Sequence, residues 1–143
     1  MSMWLALISE WYPEHTFAPG ALEAEIAEAE RALAAAFPAE LRDLLRESNG
    51  VFGEFKLDVV WSTSSIVEAN QRVRTAFADI FMPFDALLFF AGAGNGDYFG
   101  FPVVQGVCRP DVFVWNHEDD SRASIARDLR DYLERWADGR LKV

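Results

Sequence analysis

The chain has 143 residues, 51% of them hydrophobic, and a formal charge of −10. A chain this long buries roughly two-thirds of the surface its unfolded form exposes, so one domain over residues 1–143 is expected, and its apolar share excludes intrinsic disorder. No apolar run approaches the roughly 18 residues that span a membrane, the single Cys108 excludes an internal disulfide framework, and the acidic excess argues against nucleic acid and anionic membranes as partners.

The charge is uneven: no Lys or Arg precedes Arg31, while Glu10, Glu14, Glu23, Glu25, Glu28 and Glu30 all fall before it. A field of that sign steers a basic partner inward. At the start, MSMWLALISEWYPEH lacks a basic leader region and is interrupted by Glu10 and Pro13, so it reads as an amphipathic helix over roughly Met3 to Trp11 rather than a signal peptide. A reducing cytosol is the expected setting. Next, APGALEAEIAEAERALAAAFPAE places Leu22, Ile26, Ala29, Leu33 and Phe37 on one helical stripe, with Pro19 in the first turn. Pro38 ends that helix and opens PAELRDLLRESNG, where Leu41, Leu44 and Leu45 face inward and Asn49-Gly50 stops the helix.

After Gly50 the period changes. Phe55, Leu57, Val59 and Trp61 alternate with Lys56, Asp58 and Val60, the pattern of a half-buried strand. SSIVEANQRVRTAF is a helix with Ser65 and Glu68 at capping-box spacing and Ile66, Val73 and Phe77 on one side. ALLFFA, DYFGFPVV and DVFVW follow as three short strands. The last element, SIARDLRDYLERWADG, reads as a helix burying Ile125, Leu129, Tyr132, Leu133 and Trp136, capped by Asp120 or Ser121 and ended by Gly139. Consecutive strands joined by short turns imply an antiparallel sheet of about four or more strands and an α+β fold.

AGAGNGDYFG, residues 91–100, raises the question of a phosphate cradle. A phosphate loop needs a lysine and a following helix, whereas here Asp97 brings negative charge and YFGFPVV reads as a strand. Asn95-Gly96 between two apolar runs is the signal of a hairpin with a tight primed turn. NHEDD, residues 116–120, has too few histidines for zinc and no glycine at the sixth position for a calcium loop. It reads as a loop whose acids complement the following helix, or as an exposed acidic patch beside Trp115, itself expected as a partly exposed anchor. Cys108 lies in a Cys-Arg-Pro loop beside Arg109, a neighbour able to lower a thiol pKa, but nothing pairs it with His117 as nucleophile and base, and it reads as a small apolar filler. The sequence holds no G-x-S-x-G elbow. No catalytic, metal or cofactor constellation emerges.

Three stretches together resemble SUKH-superfamily domains of the Smi/Knr type. They are the acidic helix, proline, leucine helix and Asn-Gly of APGALEAEIAEAERALAAAFPAELRDLLRESNGVFG; the paired strands of LLFFAGAGNGDYFGF; and VFVWNHEDDSRASIARDLRDYLERWADG, with its Trp-bearing strand, acidic loop and closing helix. The likeness runs from about Trp4 to Gly139. It implies a single α+β domain that works by binding, without enzymatic activity or cofactor. Many bacterial members look like immunity proteins that neutralise toxin domains of contact-dependent or secreted competition systems, often nucleases, and fungal relatives act as regulatory scaffolds. The partner it implies is a protein, a basic toxin domain; Asn95, Asp97, Trp115, Glu118, Asp119 and Asp120 are the expected contacts. A scaffold domain unrelated to toxins, or a small ligand-binding protein using the glycine loop at 92–97, is the alternative. The oligomeric state is not legible.

Overall fold

The computed structural model describes residues 3–53, 58–76, 84 and 86–139. The first helix, α1, spans Met3–Trp11 and buries Trp4 and Ile8. It leads through a two-residue strand, β1 (Thr16–Phe17), which pairs antiparallel with β2 (Val51–Phe52) in a small separate sheet.

Helix α2 spans Glu23–Leu33, shorter at both ends than its apolar stripe implies. Pro19 is not in its first turn. Residues 19–21 instead run along the end of α3 (Ala39–Glu47), where Ala21 N–H donates to Leu45 O at 2.7 Å and Asn49 N–H to Pro19 O at 3.1 Å. These bonds draw the segment out of the helix, and Gly20 is needed there because a Cβ would lie 1.8 Å from Arg46 O. Leu22 therefore sits at the cap, 68% exposed, with its N–H donating to the Glu25 carboxylate at 2.8 Å. At the other end Ala34 turns left-handed (φ 54°), and Phe37 enters the core from beyond the helix. In α3, with Pro38 at its cap, Leu41, Leu44 and Leu45 are buried as their spacing requires.

Phe55, Lys56 and Leu57 of the expected strand lie outside the described residues. Asp58 to Trp61 form no strand: there is one antiparallel bridge, Val51 with Val60, and both Val59 and Val60 are buried, so the expected alternation fails. Helix α4, Thr63–Ala76, starts from Ser62, whose Oγ accepts from Ser65 N–H at 3.3 Å, so Ser65 and Glu68 lie within the helix rather than at its cap. Phe77 also lies outside the described residues.

The main sheet is antiparallel throughout and has five strands: β3 (Leu87–Gly92), β4 (Tyr98–Val104), β5 (Val107–Cys108), β6 (Val112–Trp115) and β7 (Arg122–Ala126). Its main order is β3-β4-β6-β7, with β5 beside the far end of β4. Two strands correct the sequence reading. Cys108 belongs to β5 rather than to a loop, and residues 122–126 form β7 rather than the start of the last helix. Helix α5 begins only at Leu129, capped by Asp128, whose carboxylate accepts from Asp131 N–H at 2.8 Å, and not by Asp120 or Ser121. The SIARDL stretch fits helical spacing, but pairing with β6 and a cap seven residues later override it.

The sheet has apolar packing on both faces. Leu88, Phe90, Phe99, Phe101 and Val112 join α1, α2, α3 and α5 in the larger core. Leu87, Phe89 and Trp115 pack with Val73 of α4 and Phe84 in a smaller one. Tyr132 of α5 donates its hydroxyl to Val59 O at 3.1 Å inside the larger core, where burial pushes the phenol well above its ordinary range. The architecture is α+β, with helices before and after a meandering antiparallel sheet.

Candidate functional site

Two loops meet at one end of the sheet, because Tyr98 at the start of β4 pairs with Trp115 at the end of β6. The first, residues 93–97, closes the β3–β4 hairpin. Its reversal is a five-residue loop rather than a tight two-residue turn. Ala93 N–H donates to Asp97 O at 2.9 Å, and Gly94 and Gly96, at φ 91° and 102°, supply the left-handed conformations. Asn95 stays outside that region; its side-chain oxygen accepts from Asp97 N–H at 3.0 Å, a local turn clasp. The loop runs from strand to strand, so it does not open a helix as a phosphate loop does.

The second loop, residues 116–121, joins β6 to β7 and is bonded at nearly every step. Asn116 N–H donates to Ser121 O and Asp120 N–H to Asn116 O, both at 2.9 Å. Glu118 N–H donates to the Asn116 side chain at 2.8 Å, and Ser121 N–H to the Asp119 carboxylate at 2.9 Å. The backbone N–H and hydroxyl of Ser121 hold the Asp119 carboxyl below its usual range, so it stays ionised. Its side chain nevertheless remains exposed to solvent.

One carboxylate locks the loops together. Asp97 Oδ1 lies 2.6 Å from His117 Nδ1 and accepts from His117 N–H at 3.1 Å. The imidazole covers Gly96, where any Cβ would lie 3.0 Å from the ring. Asp97 is only 5% exposed. It is an internal brace, not the surface contact its sequence position implies. His117, absent from the expected contacts, is the residue that the sequence left out. The motif NHEDD carried it, but nothing local indicates a partner 20 residues upstream.

Trp115 is a second correction. It is 1% exposed, edge-on to Phe84 at 5.1 Å, tilted against Phe89 at 5.7 Å, and its Nε1–H donates to Asp120 at 2.7 Å. A strand-ending tryptophan beside acids reads as an interface anchor; here the second face of the sheet needs it as core. Asp120, held left-handed at φ 61°, also receives the Arg122 guanidinium at 3.0 Å. Of the six expected contacts, Asn95, Glu118 and Asp119 remain exposed, and Asp97, Trp115 and Asp120 build the platform beneath them.

Cys108 and His117 do not meet. Cys108 pairs with Val103 near the end of β4, whereas His117 follows the strand that pairs with its start. Burial, with Glu30 adding to it, pushes the thiol up to about 12 against the opposing effect of Arg74, and Cys108 is buried as the small apolar filler that a lone cysteine is expected to be. Among the described residues no cluster of three or more His, Cys, Asp or Glu is placed to hold a metal, and no helix is long and apolar enough to cross a membrane. An open groove of about 940 Å³ lies between α2 and α4. Glu25, Glu28 and Glu68 are set there against Arg31 and Arg72, so its sign is mixed.

A search of the curated proteins finds no match. A family model described as SMI1-KNR4 cell-wall matches residues 23–133, from the first residue of α2 into α5 and across every strand of the main sheet. The chain therefore belongs to the SUKH superfamily, as a domain of the Smi/Knr type.

Proposed function

We propose that this SUKH domain is a non-enzymatic binding protein of the immunity type, which neutralises a basic toxin domain by direct one-to-one contact in the cytoplasm and needs no cofactor. The observation that carries the reading is the loop pair at the end of the sheet. Glu118 and Asp119 are exposed, and Asp119 is held ionised. Both sit on a platform fixed by Asp97, Asn116, Trp115 and Asp120. A carboxylate already held in place, as that of Asp119 is by Ser121, loses little side-chain entropy on contact with a cationic surface. The chain's net charge of −10 adds long-range attraction that raises the rate of encounter. A nuclease presents such a cationic surface where it holds phosphates, and an acidic tip lodged there would exclude the substrate.

The test is the association rate with a basic toxin domain encoded beside this chain. In the double variant Glu118→Lys/Asp119→Lys that rate should fall by roughly tenfold and depend less steeply on salt. Asp120 is left unchanged because its replacement would unseat Trp115. An association rate unaltered by the double variant would move the interface away from these loops.

A further inference from the structure

One of the rows of paired residues that cross the sheet is Phe89, Gly100, Phe113 and Ser124. In antiparallel pairing, successive residues turn their N–H and C=O alternately to one neighbour and the other. Asn116 N–H bonds Ser121 O, so the parity along β6 and β7 directs both backbone groups of Ser124 away from β6, to the outer edge. The same parity directs Phe89 outward at the opposite edge, and there the structure confirms it. Phe89 N–H donates to Asn70 Oδ1 and Asn70 Nδ2–H donates to Phe89 O, both at 2.8 Å. The Asn70 amide thus stands in for a neighbouring strand and closes that edge.

At Ser124 the β7 edge shows no such closure among the described residues. Among the described residues no strand pairs beyond β7, and Ser124 makes no bond on that side. Ala123 and Ser124 are both exposed, so both faces of the strand are open at its middle. Neither lysine nor proline, two of the devices that protect an edge, occurs in RASIA, although Arg122 begins the strand and its pairing with β6 carries a bulge between Val112 and Phe113. The charges flanking it are self-complementary. Exposed Glu118 and Asp119 precede the strand; exposed Arg127 (side chain 84% accessible, 3.5 Å from the buried Asp131 carboxylate) and Arg130 follow it, with Asp128 between them engaged as the cap of α5.

We infer that β7 is a docking edge for a second copy of this chain, paired antiparallel about a twofold axis at Ser124. Each Ser124 then donates to and accepts from its counterpart, joining the two sheets into one. The antiparallel arrangement places the acidic start of one β7 beside the basic end of the other, at both ends of the contact, as an isologous interface requires. A parallel pairing would set like charges together. The backbone pairing does not depend on the toxin reading, although Glu118 and Asp119 flank both contacts.

Sedimentation of the full chain over a concentration series tests it. A monomer–dimer equilibrium is expected, weakened by salt. Ser124→Pro removes only the outward N–H and should give a monomer with an unchanged circular dichroism spectrum, since proline is tolerated on an edge whose N–H faces solvent. Ser124→Cys supplies a second readout. Mutually bonded residues across such a pair lie with Cα atoms about 5.5 Å apart, within disulfide reach, so mild oxidation should trap a covalent dimer. Ala123→Cys, offset from its counterpart by two residues, should not cross-link. A chain that stays monomeric at its highest soluble concentration overturns the proposal and leaves the edge to a strand from another protein. A dimer indifferent to Ser124→Pro, in which neither cysteine cross-links, overturns it in favour of another face.

Discussion

Asp97 exemplifies how a charged residue can be structural at a loop tip. Buried at the base of the hairpin, it satisfies the His117 backbone and ring together. Asp97→Ala leaves a part-buried N–H unpaired and frees the two loops from each other, so a loss of about 1–3 kcal/mol is expected in denaturant unfolding. Asp131 supplies a pH-dependent counterpart. Burial works to raise its pKa, but the Arg127 N–H and the Arg135 guanidinium more than offset this and hold it below the ordinary 3.8. A depressed carboxyl stabilises the fold above its unfolded pKa, and that stabilisation is lost as pH falls through the lower folded value. Asp131→Asn should therefore unfold more easily than the parent at pH 7, with the gap closing in acid. Thermal melts across that range read it directly. At this scale the sequence was legible where burial follows local spacing: Leu41, Leu44, Leu45, Tyr132 and Leu133 are all buried as expected. It was not legible for Asp97 and Trp115, whose surroundings come from strands distant in the chain.

At the scale of elements, the five helices, the strands β3, β4 and β6 and the hairpin at 93–97 were readable, whereas β1, β2, β5 and β7 were not. Nor were element ends. The start of α2 is set by bonds to α3, the cap of α4 by Ser62, and β7 by pairing with β6, none of which leaves a trace in local periodicity. The two edges of the sheet differ for a related reason. Asn70 sits mid-helix, where its side chain bonds Ile66 O as well as the β3 backbone, and nothing in SSIVEANQRVRTAF marks it as a strand substitute. Asn70→Ala leaves the buried N–H and C=O of Phe89 unsatisfied, and a loss of about 2–5 kcal/mol is expected. Hydrogen exchange at the Phe89 amide should accelerate with it. Exchange as slow as in the parent would mean that the edge is closed by something other than this amide.

At the scale of the molecule, composition narrowed the reading and resemblance carried it. The charge of −10 argued against nucleic acid as a partner, while the three ordered stretches resembled a SUKH domain, and the family match over residues 23–133 agrees with that resemblance. What composition could not convey is how few acids are both exposed and held in place. Of the three in the 118–120 stretch, one is consumed by Trp115 and Arg122, leaving Glu118 and Asp119 on the tip. The central claim is that this domain protects a cell by binding a toxin, and the most direct measurement is growth of a test host expressing the toxin domain encoded beside this chain. Co-expression of the chain should restore growth, and the restored growth should weaken with Glu118→Lys/Asp119→Lys. Growth arrest that persists while both proteins accumulate in folded form would contradict the immunity reading for that pair.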